Sequence, residues 1–190
     1  RSPLTEDDMG LSELGGSGAF DFYLVDFGGS ADGNFSVDAC AGRVCSGFMI
    51  MENDFRGYGY SSLAEATAVL TSHELFHAVQ AAYNFGQPGW MSEGTAVWGE
   101  RLYDPTIRDF LWFADAYLEE PTRSLNRPPA GMVTAFSYGT ALFFEFMSAQ
   151  LGSWSGVALQ EAMEGRDEDG AIEAIDEVFD QGGLSLRTAW

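Results

Sequence analysis

The sequence contains no lysine and little positive charge of any kind. Its nine cationic side chains are all arginine, against 29 aspartate and glutamate residues, so the formal net charge is −20 in 190 residues. Nucleic acids and anionic membrane surfaces are bound through clustered basic side chains, so this charge balance argues against both partners. No apolar run approaches the roughly 18 residues that a membrane-spanning helix needs, so membrane insertion is not expected. The acidity favours solubility. An acidic groove that selects basic substrates is an alternative, but no sequence pattern locates the acidic residues in a groove.

Cysteine is scarce as well, with only Cys40 and Cys45 in a stretch typical of a loop. A disulfide across so small a loop would stabilise the fold by about 2 kcal/mol and would indicate an oxidising compartment. The alternatives are two reduced thiols or half of a zinc site, but this spacing without a second pair does not fit the usual zinc pattern. We therefore expect a disulfide and a secreted protein. Because the start at Arg1 does not resemble a signal peptide, a signal or pro-segment is expected to have been removed.

What is abundant is apolar residues, at 46% of the chain, which excludes global disorder. Residues 1–19 are expected to form an extended arm. Aromatic and β-branched residues predict strands at 20–27 and 47–52, with a turn signal at Asp32-Gly33-Asn34 between them. Residues 63–83 lack glycine and proline and are apolar nearly all round, which predicts a buried helix capped by Ser61 or Ser62 with Glu65. Helical spacing predicts further helices at 92–103, 106–119, 137–151, 156–164 and 171–179.

This order of elements predicts an α+β fold in a single domain, residues 1–190. A small N-terminal mixed β-sheet is expected to pack on the helix of residues 63–83, the two together making up residues 1–84. A mainly helical part, residues 85–190, is expected to follow it. No internal repeat and no interior linker divides the chain further.

Histidine, like cysteine, occurs only twice, and its two residues form a motif with chemical meaning. The only two, His73 and His77, enclose Glu74 in the pentapeptide His-Glu-Leu-Phe-His, inside the predicted buried helix. On a helix the two imidazoles lie about one turn apart along the axis and about 40° apart around it, so both can reach one metal ion. The adjacent glutamate can accept a proton from water activated there. Burying Glu74 without such a purpose would cost several kcal/mol.

A catalytic zinc ion normally has three protein ligands, so a carboxylate or a cysteine must supply the third here. The next carboxylate downstream is Glu93, 16 residues past His77, which is enough for one reversal and a returning helix. We expect Glu93 on the first turn of that helix, beside Gly94, which would permit close packing against the histidine helix. Glu100 would project from the same face two turns later and is a candidate to hold the N–H of a liganding histidine.

Together, His73-Glu74-x-x-His77 and Trp90-x-x-Glu93-Gly94-x-Ala96 resemble the gluzincin class of zinc metallopeptidases. The likeness is greatest to a sparsely described group of secreted bacterial proteins of metalloprotease type, in which Glu-Asn-Asp precedes the motif helix and a Tyr-Gly opens a later one, here residues 52–54 and 138–139. It covers about residues 20–155. The resemblance implies a zincin-like fold and one zinc ion bound by His73, His77 and Glu93, with Glu74 as general base. The interval from His77 to Glu93 is shorter than in the large gluzincins.

The activity that the resemblance implies is that of a secreted zinc endopeptidase acting on a protein or peptide substrate. Its oxyanion would need a donor besides zinc, and Tyr138 is the candidate, with Tyr83 and Tyr103 behind it. One alternative is a non-catalytic, zinc-stabilised binding module of a bacterial secreted or surface protein. Another is a metal-dependent hydrolase of non-peptide amides. The sequence predicts neither an oligomeric state nor a cleavage specificity.

Calcium is a second metal for which the sequence offers ligands. Asp32, Asn34 and Asp38 carry the oxygen donors that calcium prefers, but they lack the full pattern of a calcium loop. A plain turn is the competing interpretation.

Overall fold

The structure, a computed structural model, describes residues 20–131 and 133–189. It confirms an α+β fold, in which a small mixed β-sheet precedes a set of helices. The three strands are β1 (Phe22–Val25), β2 (Gly33–Ala41) and β3 (Val44–Glu52), in the order β1-β3-β2. Strand β3 lies in the centre, parallel to β1 and antiparallel to β2. The expected arm, residues 1–19, lies outside the described residues.

The cysteine segment is a β-hairpin and not the loop that the sequence suggested. Strand β2 runs through Cys40, which faces Cys45 on β3, and the disulfide expected between them is present. Gly42 lies in the tight turn between these strands with a φ of 68°, a conformation that glycine adopts without strain. The polar, glycine-containing β2 was missed because its pairing with β3 depends on backbone hydrogen bonds.

Helix α1 spans Leu63–Asn84, close to its predicted bounds. Ser62 accepts a hydrogen bond from the backbone N–H of Glu65, as expected of a cap, while the carboxylate of Glu65 returns to Ser61 and not to Ser62. The expectation that α1 is apolar and buried on every side is wrong. Leu75 is 41% exposed, because the sheet and the later helices enclose only part of the helix surface.

The later helices match the expected ranges only in part: the ends at Tyr103 and Leu151 and the start at Ala171 are confirmed, and the other bounds differ. The expected helix at 106–119 is shortened to its second half, and the one at 137–151 is divided in two at Thr140, whose side chain donates to the carbonyl oxygens of Trp90 and Ser137. A short 3-10 turn precedes the last long helix. The helices are α2 (Gly89–Tyr103), α3 (Leu111–Leu118), α4 (Ala135–Gly139), α5 (Ala141–Leu151), α6 (Trp154–Ala162), α7 (Ala171–Gln181) and α8 (Leu186–Ala189).

Two clusters of buried side chains hold these elements together. The smaller one joins β3 to the first half of α1 through Met49, Met51 and Leu70. The larger one is built mainly by α2 and α5 to α7 around Trp98 and Phe144. Helices α1 and α2 pack closely where Gly99 leaves room for the ring of Phe76, and this contact brings the two halves of the candidate site together. No helix in the described ranges is long and apolar enough to cross a membrane.

Candidate metal centre

The structure brings His73, His77 and Glu93 together at the contact between α1 and α2. The two histidine Nε2 atoms lie 3.2 Å apart, and Oε2 of Glu93 lies 3.3 Å and 3.4 Å from them. Three ligand atoms held tetrahedrally at about 2.0–2.1 Å from a zinc ion would be about 3.3 Å from one another. The three side chains therefore have the spacing that a tetrahedral metal ion requires.

Glu93 reaches this position from a different part of its helix than the sequence suggested. Helix α2 begins at Gly89, so Glu93 lies in the second turn and not in the first. Gly94 does not serve the contact with α1: a Cβ there would lie 2.0 Å from Oγ1 of Thr140. The close approach of α1 and α2 depends on Gly99 instead, where a Cβ would lie 2.5 Å from the ring of Phe76.

Both histidines are oriented through their other ring nitrogen. Nδ1 of His73 lies 2.7 Å from Oε1 of Glu100, and Nδ1 of His77 lies 2.7 Å from Oε1 of Gln80. With these nitrogens as donors, the two Nε2 atoms are left as acceptors for a metal. Glu100 is thus where the sequence placed it. Gln80 was missed, although its position three residues after His77 on the same helix face could have indicated it.

The amide of Gln80 is itself anchored to α2. It donates to the carbonyl oxygen of Ser92 and to Oγ1 of Thr95, at 2.8 Å and 2.7 Å. Because these residues flank Glu93, one hydrogen-bonded group positions both His77 and the neighbouring ligand. The site is therefore held by contacts between α1 and α2, with little dependence on loops.

Charge is strongly coupled within this buried group. Burial lowers the pKa of His73, but its hydrogen bonds to Glu100 and Glu93 outweigh burial and raise the pKa to about 10. Burial raises the pKa of Glu93, yet the hydrogen bonds to His73 and His77 prevail and lower it to about 2. The protein without metal therefore holds a proton on His73 and a charged carboxylate on Glu93, and a cation placed between them would replace that proton.

Glu74 lies on the same cavity and is buried, with a relative exposure of 6%. Its Oε2 accepts a hydrogen bond of 2.6 Å from the backbone N–H of Phe35 on the edge strand β2. Burial raises the pKa of Glu74, against the lowering effects of His73, His77 and the Phe35 amide. A raised pKa suits a carboxylate that must both take up and release a proton near neutral pH.

Of the three tyrosines considered from the sequence, only Tyr138 lines this cavity, which has a volume of about 540 Å³. Its ring stacks on Phe113 with a centroid distance of 4.7 Å and lies 6.1 Å from the ring of His73. Burial and the charges of Glu93 and Glu74 raise the pKa of Tyr138, so it remains a protonated hydrogen-bond donor. Tyr103 is 69% exposed, and Tyr83 does not line the cavity.

The candidate calcium ligands do not converge. Asn34 and Asp38 both lie on the extended strand β2, Asp38 at its irregularity, so the two are separated by about 13 Å of strand. Asp32 accepts a hydrogen bond of 2.9 Å from the hydroxyl of Tyr60. These residues do not form a calcium loop, because the stretch expected to turn is mostly strand.

Comparison with known proteins yields no relative: no family model, curated protein or solved structure matches the chain.

Proposed function

We propose that this chain is a secreted zinc-dependent endopeptidase of the gluzincin type, with a zincin-like fold. The observation that carries the proposal is the triangle of Nε2 of His73, Nε2 of His77 and Oε2 of Glu93, with sides of 3.2–3.4 Å. Two imidazoles and one carboxylate form a common ligand set of catalytic zinc in proteases. The disulfide supports secretion, because disulfides persist in oxidising compartments.

The residues around the triangle fit hydrolysis better than a purely structural metal. Within the described part of the chain, three acidic or histidine side chains can share one ion, which leaves a fourth position of a tetrahedron open to the cavity. Structural zinc sites are usually closed by a fourth protein ligand. Glu74, beside the triangle, has no use in a structural site. These features disfavour the non-catalytic binding module.

Each residue then has a defined task. A bound zinc ion would supply Lewis-acid chemistry, lowering the pKa of water and polarising the substrate carbonyl. Glu74 takes the proton from the attacking water and delivers it to the leaving amine. Tyr138 donates a hydrogen bond to the oxygen on which negative charge develops. Glu100 and Gln80 hold His73 and His77 in the tautomer that binds metal.

The test compares wild type with Glu74→Gln and, as a control of equal charge change, Glu161→Gln on the exposed face of α6. Zinc content is measured by mass spectrometry and hydrolysis with casein. We expect zinc in all three proteins and cleavage by wild type and Glu161→Gln only. Glu93→Ala is expected to lose zinc. Cleavage by Glu74→Gln at the wild-type rate, or stoichiometric zinc in Glu93→Ala, would overturn the assignment.

A further inference from the structure

A group of carboxylates that the proposed chemistry does not use lies beside the metal centre. The metal cavity adjoins a second cavity of about 450 Å³, and Asp32, Tyr60 and Asp109 line both of them. Glu65 lies on the wall of the outer cavity, and Glu100 on the wall of the inner one. We call Asp32, Glu65, Asp109 and Glu100, with the hydroxyl of Tyr60, the acidic pocket.

One carboxylate of the acidic pocket, that of Asp109, lacks the hydrogen-bond partner that the other three have. Asp109 is half-buried, and the carboxylate has no hydrogen-bond or ion-pair partner among the described residues. Burial raises its pKa; His73 lowers it, and the charges of Asp32 and Glu65 raise it further. Arg108 is the arginine on these walls, but it lies on the outer cavity, is exposed, and makes no ion pair with the carboxylates in the described structure. The carboxylate of Asp109 therefore has no compensating partner among the described residues.

Glu100 provides independent evidence that a donor is missing at the inner end. Its side chain is 1% exposed, and only Oε1 has a partner, His73. The other oxygen, Oε2, is buried without any hydrogen bond. A buried carboxylate oxygen without a donor is costly, and a cationic group in the cavity would supply one.

The arrangement of the carboxylates favours an extended organic cation over a second metal ion. Among the described residues, only His73, His77 and Glu93 bring three ligand atoms close enough for one ion. Asp32 and Asp109 instead line both cavities, and Glu65 lines the outer one. A guanidinium or ammonium group on a long alkyl chain can pass along the boundary of the two cavities and reach several acceptors.

We propose that the acidic pocket binds an arginine or lysine side chain of the peptide substrate, close to the bond that is cleaved. This inference deepens the proposed peptidase function and rests on it for the nature of the substrate. The aromatic walls, Tyr60 and Phe113, accommodate the alkyl part of such a side chain, while Asp109 and Asp32 face its charge. The net charge of −20 attracts cationic peptides over longer distances.

The binding test uses zinc-loaded Glu74→Gln, which would hold a peptide without cleaving it. Two pools of blocked peptides are compared at each peptide position in turn. At the position under test, one pool carries arginine and the other carries its neutral isostere citrulline; the pools are otherwise identical. Calorimetry should show that arginine at one of the positions binds about tenfold or more tightly. Equal affinity of the two pools at every position would overturn the proposal.

Asp109→Asn in the same background should bring the ratio of the affinities for arginine and citrulline peptides close to one. Asp109→Glu keeps the charge and should retain most of the preference for arginine. Asp115→Asn is the matched control, because Asp115 is exposed on α3 and lines neither cavity. Circular dichroism verifies that each variant is folded. A ratio that is the same in Asp109→Asn and Asp115→Asn would also overturn the proposal.

Peptide cleavage by the wild-type protein shows whether a negative result contradicts the acidic pocket or the peptidase function on which it rests. If wild type cleaves both pools at equal rates and binds both equally, the peptidase assignment stands and the acidic pocket has no such role. If wild type cleaves neither pool but the arginine preference in binding disappears with Asp109→Asn, the pocket stands and the peptidase assignment fails.

Discussion

Glu100 accepts a hydrogen bond from Nδ1 of His73 at 2.7 Å, although the two residues lie on different helices and are 27 positions apart. The contact fixes the imidazole so that its Nε2 faces Glu93 and His77. Burial raises the pKa of Glu100 to about 7, and the bond to His73 opposes that rise. Orientation of a candidate metal ligand therefore depends on a carboxylate that is itself costly to keep buried.

Replacing Glu100 should weaken zinc binding without abolishing it. Glu100→Gln keeps an acceptor for His73 but removes the charge, and we expect the dissociation constant for zinc to rise about tenfold. Glu100→Ala removes both and should raise it about a hundredfold. Competition with a zinc-binding dye measures both values, with Glu161→Gln as control. If Glu100→Ala binds zinc as tightly as the control does, the contact has no orienting role.

The sequence was sufficient for the features whose signal is local. His73 and His77 are four residues apart on a helix without breakers, and this spacing alone places both imidazoles on one face. The Cys40–Cys45 disulfide followed from the absence of any other cysteine. Glu93 could be named because the supply of ligands was so limited, although its turn of the helix was wrong.

What the sequence could not predict depends on contacts between distant segments. Strand β2 carries Gly33, Asn34 and Asp38, which are typical of turns, and only its backbone pairing with β3 makes it a strand. The bond from the Phe35 amide to Glu74 is therefore invisible in side-chain patterns. Asp32 and Asp109 are 77 positions apart and line the same cavities only because the segments just before β2 and α3 border them.

Tyr138→Phe tests the proposed oxyanion donor. The ring would keep its stacking on Phe113, so the fold and the zinc content should not change. The turnover number should fall by about a hundredfold with little change in KM, because the hydroxyl acts only as charge develops. Tyr103→Phe is the control, since Tyr103 is 69% exposed. Comparable turnover numbers for the two variants would remove Tyr138 from the mechanism.

The stability of the protein without zinc should depend on pH through His73 and Glu93. The pKa of His73 rises from 6.5 to about 10 on folding, so its contribution is complete below pH 6.5 and is lost as the pH rises through 10. The pKa of Glu93 falls from 4.5 to about 2, so its contribution is complete above pH 4.5 and is lost as the pH falls through 2.

The contribution of this pair is therefore greatest between about pH 4.5 and 6.5. Thermal unfolding in the presence of a chelator should show Tm falling from pH 7 towards pH 10. The fall should be smaller for Glu93→Gln, which replaces a charged acceptor that raises the pKa of His73 by a neutral one. An equal fall in Tm for wild type and Glu93→Gln over this range would contradict the assigned coupling.

The disulfide should stabilise the hairpin without being needed for the metal centre. Cys40 and Cys45 lie beside the turn of the β2–β3 hairpin, whereas Phe35, which contacts Glu74, lies toward its other end. Replacing both cysteines by serine should lower the free energy of unfolding by about 2 kcal/mol and Tm by roughly 4–8 °C. Zinc content and casein hydrolysis below the transition should match those of wild type. Loss of zinc from a variant that circular dichroism shows to be folded would mean that the disulfide also positions the metal centre.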